Sequence, residues 1–138
     1  MAGNHSAARP PMARHAARLF VALTAAAILF QVALALGMPW GDFAWGGRYP
    51  GALPGPMRAA SVVSALLLLV LIGVIVVRAG FARPSWQAVS RTPAWGVVVF
   101  CGASAVANAL TPSAGERLVW LPVTLMMLGT SIIVAKDP

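Results

Sequence analysis

Apolar residues run almost unbroken along about 19–38, 59–77, 94–110 and 118–135, and polar residues gather in the gaps between them. Each run is close to the ~20 residues a helix needs to cross the hydrocarbon core of a bilayer. Backbone polar groups in lipid must be paired within the protein, so runs of this kind are helices or barrel strands. Barrel strands alternate in ~10-residue units, whereas these runs are longer and uniformly apolar. The pattern predicts an all-α four-helix transmembrane bundle with helices at about 19–38, 58–78, 93–111 and 114–135. Residues 18–136 make up this membrane domain, and residues 1–17, built of Ala, Arg, Pro and polar residues, read as a disordered basic tail.

The gaps carry the punctuation. Pro39 stops the first helix, and residues 38–56, MPWGDFAWGGRYPGALPGP, hold five Gly and four Pro beside two Trp, one Tyr and one Phe. That composition predicts neither helix nor strand, yet its large aromatics need cover. We expect an ordered, irregular loop folded as a plug over the mouth of the bundle, with Gly46-Gly47 permitting a tight turn. Pro56 suits the first turn of the second helix, where its missing donor costs nothing. Gly80 and Pro84 are expected to break any helix in the next connection. Thr92-Pro93 reads as an N-cap followed by Pro at the first helical position. Ser113 and Glu116 have the spacing of a capping box for the fourth helix. In the third helix small residues recur four apart, Ala103 with Ala107 and Ala105 with Ala109, which lets another backbone approach closely; Ala22 and Ala26 of the first helix are the candidate partner face.

Composition places the chain in the membrane class: 59% of its 138 residues are hydrophobic and 9% charged. The net charge of +7 invites a nucleic-acid reading, but its distribution argues against one. Arg9, Arg14 and Arg18 precede the first span, Arg78, Arg83 and Arg91 lie between the second and third, and Lys136 follows the fourth. Arg48, Arg58 and Arg117 are the three basic residues of the opposite side. A seven-to-three bias of this kind is the positive-inside pattern. It predicts a multi-pass protein of the plasma (inner) membrane with both termini cytoplasmic. A rival reading makes the first run a signal peptide, with Ala33-Leu34-Ala35 resembling a cleavage site; the run is long for such a region, and cleavage would leave three spans. The lone Cys101 excludes an intramolecular disulfide, and His5 and His15 both sit in the tail. No Cys/His cluster has metal-ligand spacing, so no metal and no cofactor is expected.

Trp40, Trp45 and Trp120 fall at the outer boundary of the spans, Trp86 and Trp95 at the inner one, as interfacial belts require. Counted inward at ~1.5 Å per residue, Gln31, Ser64 and Thr124 lie about 10 Å deep from the outer side. Ser104 falls near the same level, with Asn108 and Ser61 above it. Thr24, Thr130 and Ser131 are the polar residues of the inner half. Four helices thus send polar side chains to the outer half. In one reading these groups bond one another across helices and lock the bundle, at only ~0.6 kcal/mol each. In the other they floor a small pocket that the loop covers. The second reading makes Gln31, Trp40, Asp42, Trp45, Arg48, Asn108, Glu116, Arg117 and Trp120 the candidate ligand-binding residues. Each has a plainer alternative. Glu116 could act only as a cap, Asp42 as a turn former after Gly41, Asn108 as a helix end. Against the last, Asn108 and Ser104 lie four apart on one face.

Pro39-Trp40-Gly41, Ala44-Trp45-Gly46-Gly47 and Leu53-Pro54, followed by Asn108, Thr111, Ser113, Glu116-Arg117, Trp120 and Pro122-Val123, resemble the outer segments of a family of small bacterial integral membrane proteins with four predicted spans. The resemblance covers about residues 30–135. It implies the four-span fold and directs attention to the outer loops, and it implies no reaction.

Three function classes follow. The first is a non-enzymatic binding or accessory protein, holding a small apolar or lipid-like ligand or a membrane-protein partner at the outer face. The alternative is a small transporter or channel; the embedded carboxylate that drug transporters of this size need has only Gln31 in its place in the first helix. The third is a membrane enzyme using Asp42 and Glu116 as an acid/base pair, for which no nucleophile-base pair or metal set is in evidence. No nucleic acid is expected as a partner; the bilayer is.

Overall fold

The computed structural model describes residues 11–137. Among them are five α-helices: α1 (Pro11–Leu36), α2 (Gly55–Arg78), α3 (Pro84–Val89), α4 (Arg91–Leu110) and α5 (Ala114–Lys136). All but α3 are long and apolar enough to cross a membrane. At ~1.5 Å per residue even α4, the shortest of the four, reaches about 30 Å, the thickness of the hydrocarbon.

Most of the expected boundaries stand within a few residues, and four details are corrected. The helix expected from about residue 19 begins at Pro11, so residues 11–17 are helical rather than disordered. This segment is rich in Ala, the best helix former, and it has something to pack against: Ala13, Ala16 and Ala17 are buried. Residues 1–10 of the expected tail, with His5 and Arg9, lie outside the described residues. Pro84 does not break a helix but opens one, α3, from its first turn. The N-cap of α4 is Ser90, not Thr92, and Pro93 sits inside the first turn, where a missing N–H is still without cost. The loop 38–56 is not wholly irregular, since it contains two single 3-10 turns, Gly41–Phe43 and Trp45–Gly47.

The spans form a bundle in which α1 packs against α2 and α5, and α4 packs against α5. α2 meets α4 along a shorter seam. The expected pairing of the first and third spans through small residues does not form. Ala103, Ala107 and Ala109 are exposed, and only Ala105 of that set is buried. Small residues permit close approach without naming the partner, and the short turn after Leu110 sets α5, not α1, beside α4.

The two ends of the bundle differ. At the terminal end the guanidinium carbons of Arg14 and Arg18 lie 4.6 and 5.8 Å from the centre of the Phe81 ring, tying α1 to the α2–α3 turn. Arg78, buried, donates to the backbone oxygens of Gln87 and Asp137 and so joins the ends of α2, α3 and α5. Above this, Phe20, Ile75, Val97 and Val134 are fully buried and fill the bundle centre with Ala17, Leu71 and Met127. The opposite end carries the 38–56 loop and the α4–α5 turn, and its apolar cluster is smaller: Leu34, Ala44 and Leu53, flanked by Phe30, Tyr49 and Met57.

Candidate functional site

The loop is shaped by its glycines and by neighbours on α5. Gly41 donates to Gly51 O at 2.9 Å, closing the segment on itself. A Cβ at Gly41 would stand 1.8 Å from Tyr49 O, so only glycine fits this crossing of two backbone strands. Trp45, Gly46 and Gly47 follow with φ of 55°, 71° and 68°, the left-handed turn expected of Gly46-Gly47 extended one residue back onto a tryptophan. A non-glycine residue rarely holds this conformation.

Three hydrogen bonds then join the loop to the α4–α5 turn and α5, and two more brace the turn itself. Ser113 caps α5, its Oγ accepting from Glu116 N at 3.1 Å, as half of the expected capping box. The reciprocal half is replaced. Glu116 Oε2 accepts instead from Gly46 N at 2.9 Å and from the Thr111 hydroxyl at 2.5 Å. Ser113 Oγ donates to Asp42 O at 2.6 Å, and Trp120 Nε1 donates to Phe43 O at 2.9 Å. The loop connects α1 to α2, yet it is latched to the start of α5.

Under the latch lies a cavity of about 380 Å³ between the four spans. Its walls are mainly apolar, with Phe30, Phe43, Trp45, Phe100 and Trp120 the large aromatics. Phe30 and Trp120 pack with ring centres 4.8 Å apart and planes tilted by 59°. Of the polar residues assigned to the outer half by counting along the helices, Ser61 is buried away from the cavity, and Gln31, Ser64, Ser104, Asn108 and Thr124 all line it. They do not lock the bundle by bonding one another. Ser64 Oγ donates to Ala60 O at 3.0 Å, Thr124 Oγ1 to Trp120 O at 2.8 Å, and Asn108 Nδ2 to Ser104 O at 2.9 Å, each within its own helix. Gln31 Oε1 is buried with no hydrogen-bond partner.

Of the nine candidate residues, Gln31, Trp45, Asn108, Glu116 and Trp120 line the cavity, and Trp40, Asp42, Arg48 and Arg117 do not. Trp40 stands one layer behind, stacked on Phe30 at 6.1 Å with planes 9° apart. Arg117 donates to Thr111 O at 2.6 Å, holding the α4–α5 turn. Asp42 contributes its backbone oxygen to the latch, and its side chain and that of Arg48 are exposed. An acid/base pair of Asp42 and Glu116 needs both carboxylates on one cavity, and only Glu116 lines it. Phe30, Phe43, Phe100 and Met127 are lining residues that the sequence reading did not single out. Inside an apolar run a phenylalanine carries no mark telling cavity from lipid.

Fold and site together define a multi-pass helical membrane bundle with a covered cavity in one half. No family model, curated protein or solved structure matches the chain.

Proposed function

We propose that the chain is a binding protein of the plasma (inner) membrane, with both termini cytoplasmic, that holds a small apolar or lipid-like ligand in this cavity at the outer face. On this reading it is one of the small four-span bacterial proteins its outer segments resemble, and the loop is an ordered cover. The observation that carries the proposal is the cavity itself: aromatic and aliphatic walls, a few convergent polar groups, and contributions from all four spans. Two further facts support binding over passage or catalysis. The terminal half of the bundle is filled by Phe20, Ile75, Val97 and Val134, so the cavity ends in packed side chains. Glu116 is its one carboxylate and already accepts two hydrogen bonds. The charge bias supports the orientation, with the terminal end carrying Arg14, Arg18, Arg78, Arg83, Arg91 and Lys136.

Native mass spectrometry of the full chain released from mild detergent tests the binding. A retained adduct in the parent protein, lost when Ser104→Phe fills the cavity, is the expected result; identical spectra for the two defeat the proposal. Orientation is tested with single cysteines at positions 45 and 85 in a Cys101→Ser background. A membrane-impermeant reagent applied outside intact cells should label position 45 alone. Labelling at 85 alone reverses the topology.

A further inference from the structure

The polar surface of the cavity is unbalanced. Several of its donors are spent inside the protein, while the Gln31 amide, the Ser104 hydroxyl and the Trp45 indole also line it. The hydroxyl hydrogens of Ser64 and Thr124 go to carbonyls of their own helices, the Asn108 amide nitrogen to Ser104 O, and the Trp120 indole N–H to Phe43 O. Of these groups, Ser64, Thr124 and Asn108 keep oxygen lone pairs free to accept. Gln31 Oε1 is buried and unpartnered. Glu116 uses Oε2 for both Gly46 N and the Thr111 hydroxyl, and its Oε1 makes no hydrogen bond among the described residues. Among the lining residues Glu116 is the one carboxylate, and no Lys, Arg or His stands with it. Around it stand Phe30, Phe43, Trp45 and Trp120, whose ring faces attract cations.

A ligand that matches the one carboxylate and the ring faces carries positive rather than negative charge, with hydrogens to donate. We propose that the cavity binds a protonated lipophilic amine. The ammonium donates to Glu116 Oε1 and to the acceptors of the wall, and the apolar body lies among the aromatic rings toward Met127. A carboxylate ligand would meet Glu116 with like charge, and a neutral alcohol would leave the acceptors underused. A free amine and an ethanolamine lipid headgroup both supply such an ammonium, and the recognition chemistry is shared. This inference rests on the binding function proposed above and adds the class of ligand.

A shape-matched trio tests it on the full chain in a neutral maltoside detergent: 1-adamantylmethylamine, 1-adamantylmethanol and 1-adamantanecarboxylate, followed by tryptophan fluorescence, since Trp45 and Trp120 line the cavity. We expect the amine to bind at least about tenfold more tightly than either analogue, the worth of one charge-assisted hydrogen bond. Glu116→Gln should remove that preference while leaving the alcohol unchanged. Thr111→Val, which keeps the carboxylate and deletes one brace, should retain it, and so guards against a loop effect. Equal binding of all three, or a preference for the carboxylate, overturns the amine and leaves the binding pocket standing. Binding of none, or binding indifferent to Ser104→Phe, overturns the pocket as well. Phosphatidylethanolamine titrated into the same micelles should compete with the amine if the headgroup is the source, and phosphatidylglycerol should not. Absence of competition assigns the site to free amines.

Discussion

The two halves of the bundle are built from the same four helices to opposite ends. In the terminal half, buried side chains meet side chains, and the buried hydroxyls of Thr24, Thr130 and Ser131 are returned to their own helices at 2.7–2.8 Å. In the loop half the hydroxyls of Ser64 and Thr124 are returned in the same way, but the centre is hollow. Satisfying a polar group by its own backbone thus serves two purposes. Where packing is tight it makes a hydroxyl behave as a small core residue, and where there is space it leaves an acceptor-lined wall. A bundle in lipid gains little from burying apolar surface, because lipid tails are as apolar as Leu, and is held by close packing. The packed half therefore bears stability, and the hollow half can be shaped for something else.

That contrast can be broken by paired substitutions. The largest effect is expected for Phe20→Ala, which opens a void in a fully packed centre at a cost of about 3–5 kcal/mol. Phe30→Ala enlarges a space that already exists and should cost about 1–2 kcal/mol, chiefly the ring contacts with Trp40 and Trp120. Thermal midpoints in one detergent compare the two, and equal losses would show that the halves are packed alike.

Next comes Gly41→Ala. Its new methyl would meet the Tyr49 carbonyl, and the strain should cost about 2–3 kcal/mol. The loss should appear as greater quenching of tryptophan fluorescence by iodide, because the loop that carries Trp40 and Trp45 is forced off the bundle. A smaller effect separates the halves by overfilling. Ala17→Leu crowds the packed end and should cost about 1–3 kcal/mol, whereas Ser104→Leu grows into the cavity and should cost less than about 1 kcal/mol. The reverse order would place the space elsewhere. Smallest of all, Trp45→Ala should raise iodide quenching of Trp120 more than Trp86→Ala does, with little change in midpoint for either. Asn108→Ala should follow Trp45→Ala. If all three behave alike, tryptophan at the loop end is an interfacial anchor only.

The sequence made the depth of the site legible and left its rotation hidden. Gln31, Ser64, Ser104 and Thr124 can be set near one level, with Asn108 above them, because helix rise is constant and a polar residue in an apolar run stands out. Phe30 and Phe100 could not be told from lipid-facing residues, because helices bordered by lipid are apolar on every side and lose the periodicity that reveals facing. The loop's glycines announced a turn at Gly46-Gly47. They did not announce the crossing at Gly41, which depends on where Tyr49 and Gly51 return. The capping-box spacing holds at Ser113, but the Glu116 side chain is drawn off by Gly46, seventy residues away in sequence. The early start of α1 is hidden in the sequence because Arg and Pro in a terminal segment resemble disorder until Phe81 supplies a surface for Arg14 and Arg18.

The short seam between α2 and α4 has a thermodynamic consequence. Both helices line the cavity, through Ser64 and Leu67 on one side and Phe100 and Ser104 on the other, and this is the side where the bundle is least closed. On the binding function proposed above, a greasy solute approaching there would come sideways, out of the acyl chains, and the bilayer would be the reservoir from which the site fills. Occupancy would then follow the solute's mole fraction in the membrane, and a weak intrinsic affinity would suffice for anything that partitions strongly from water.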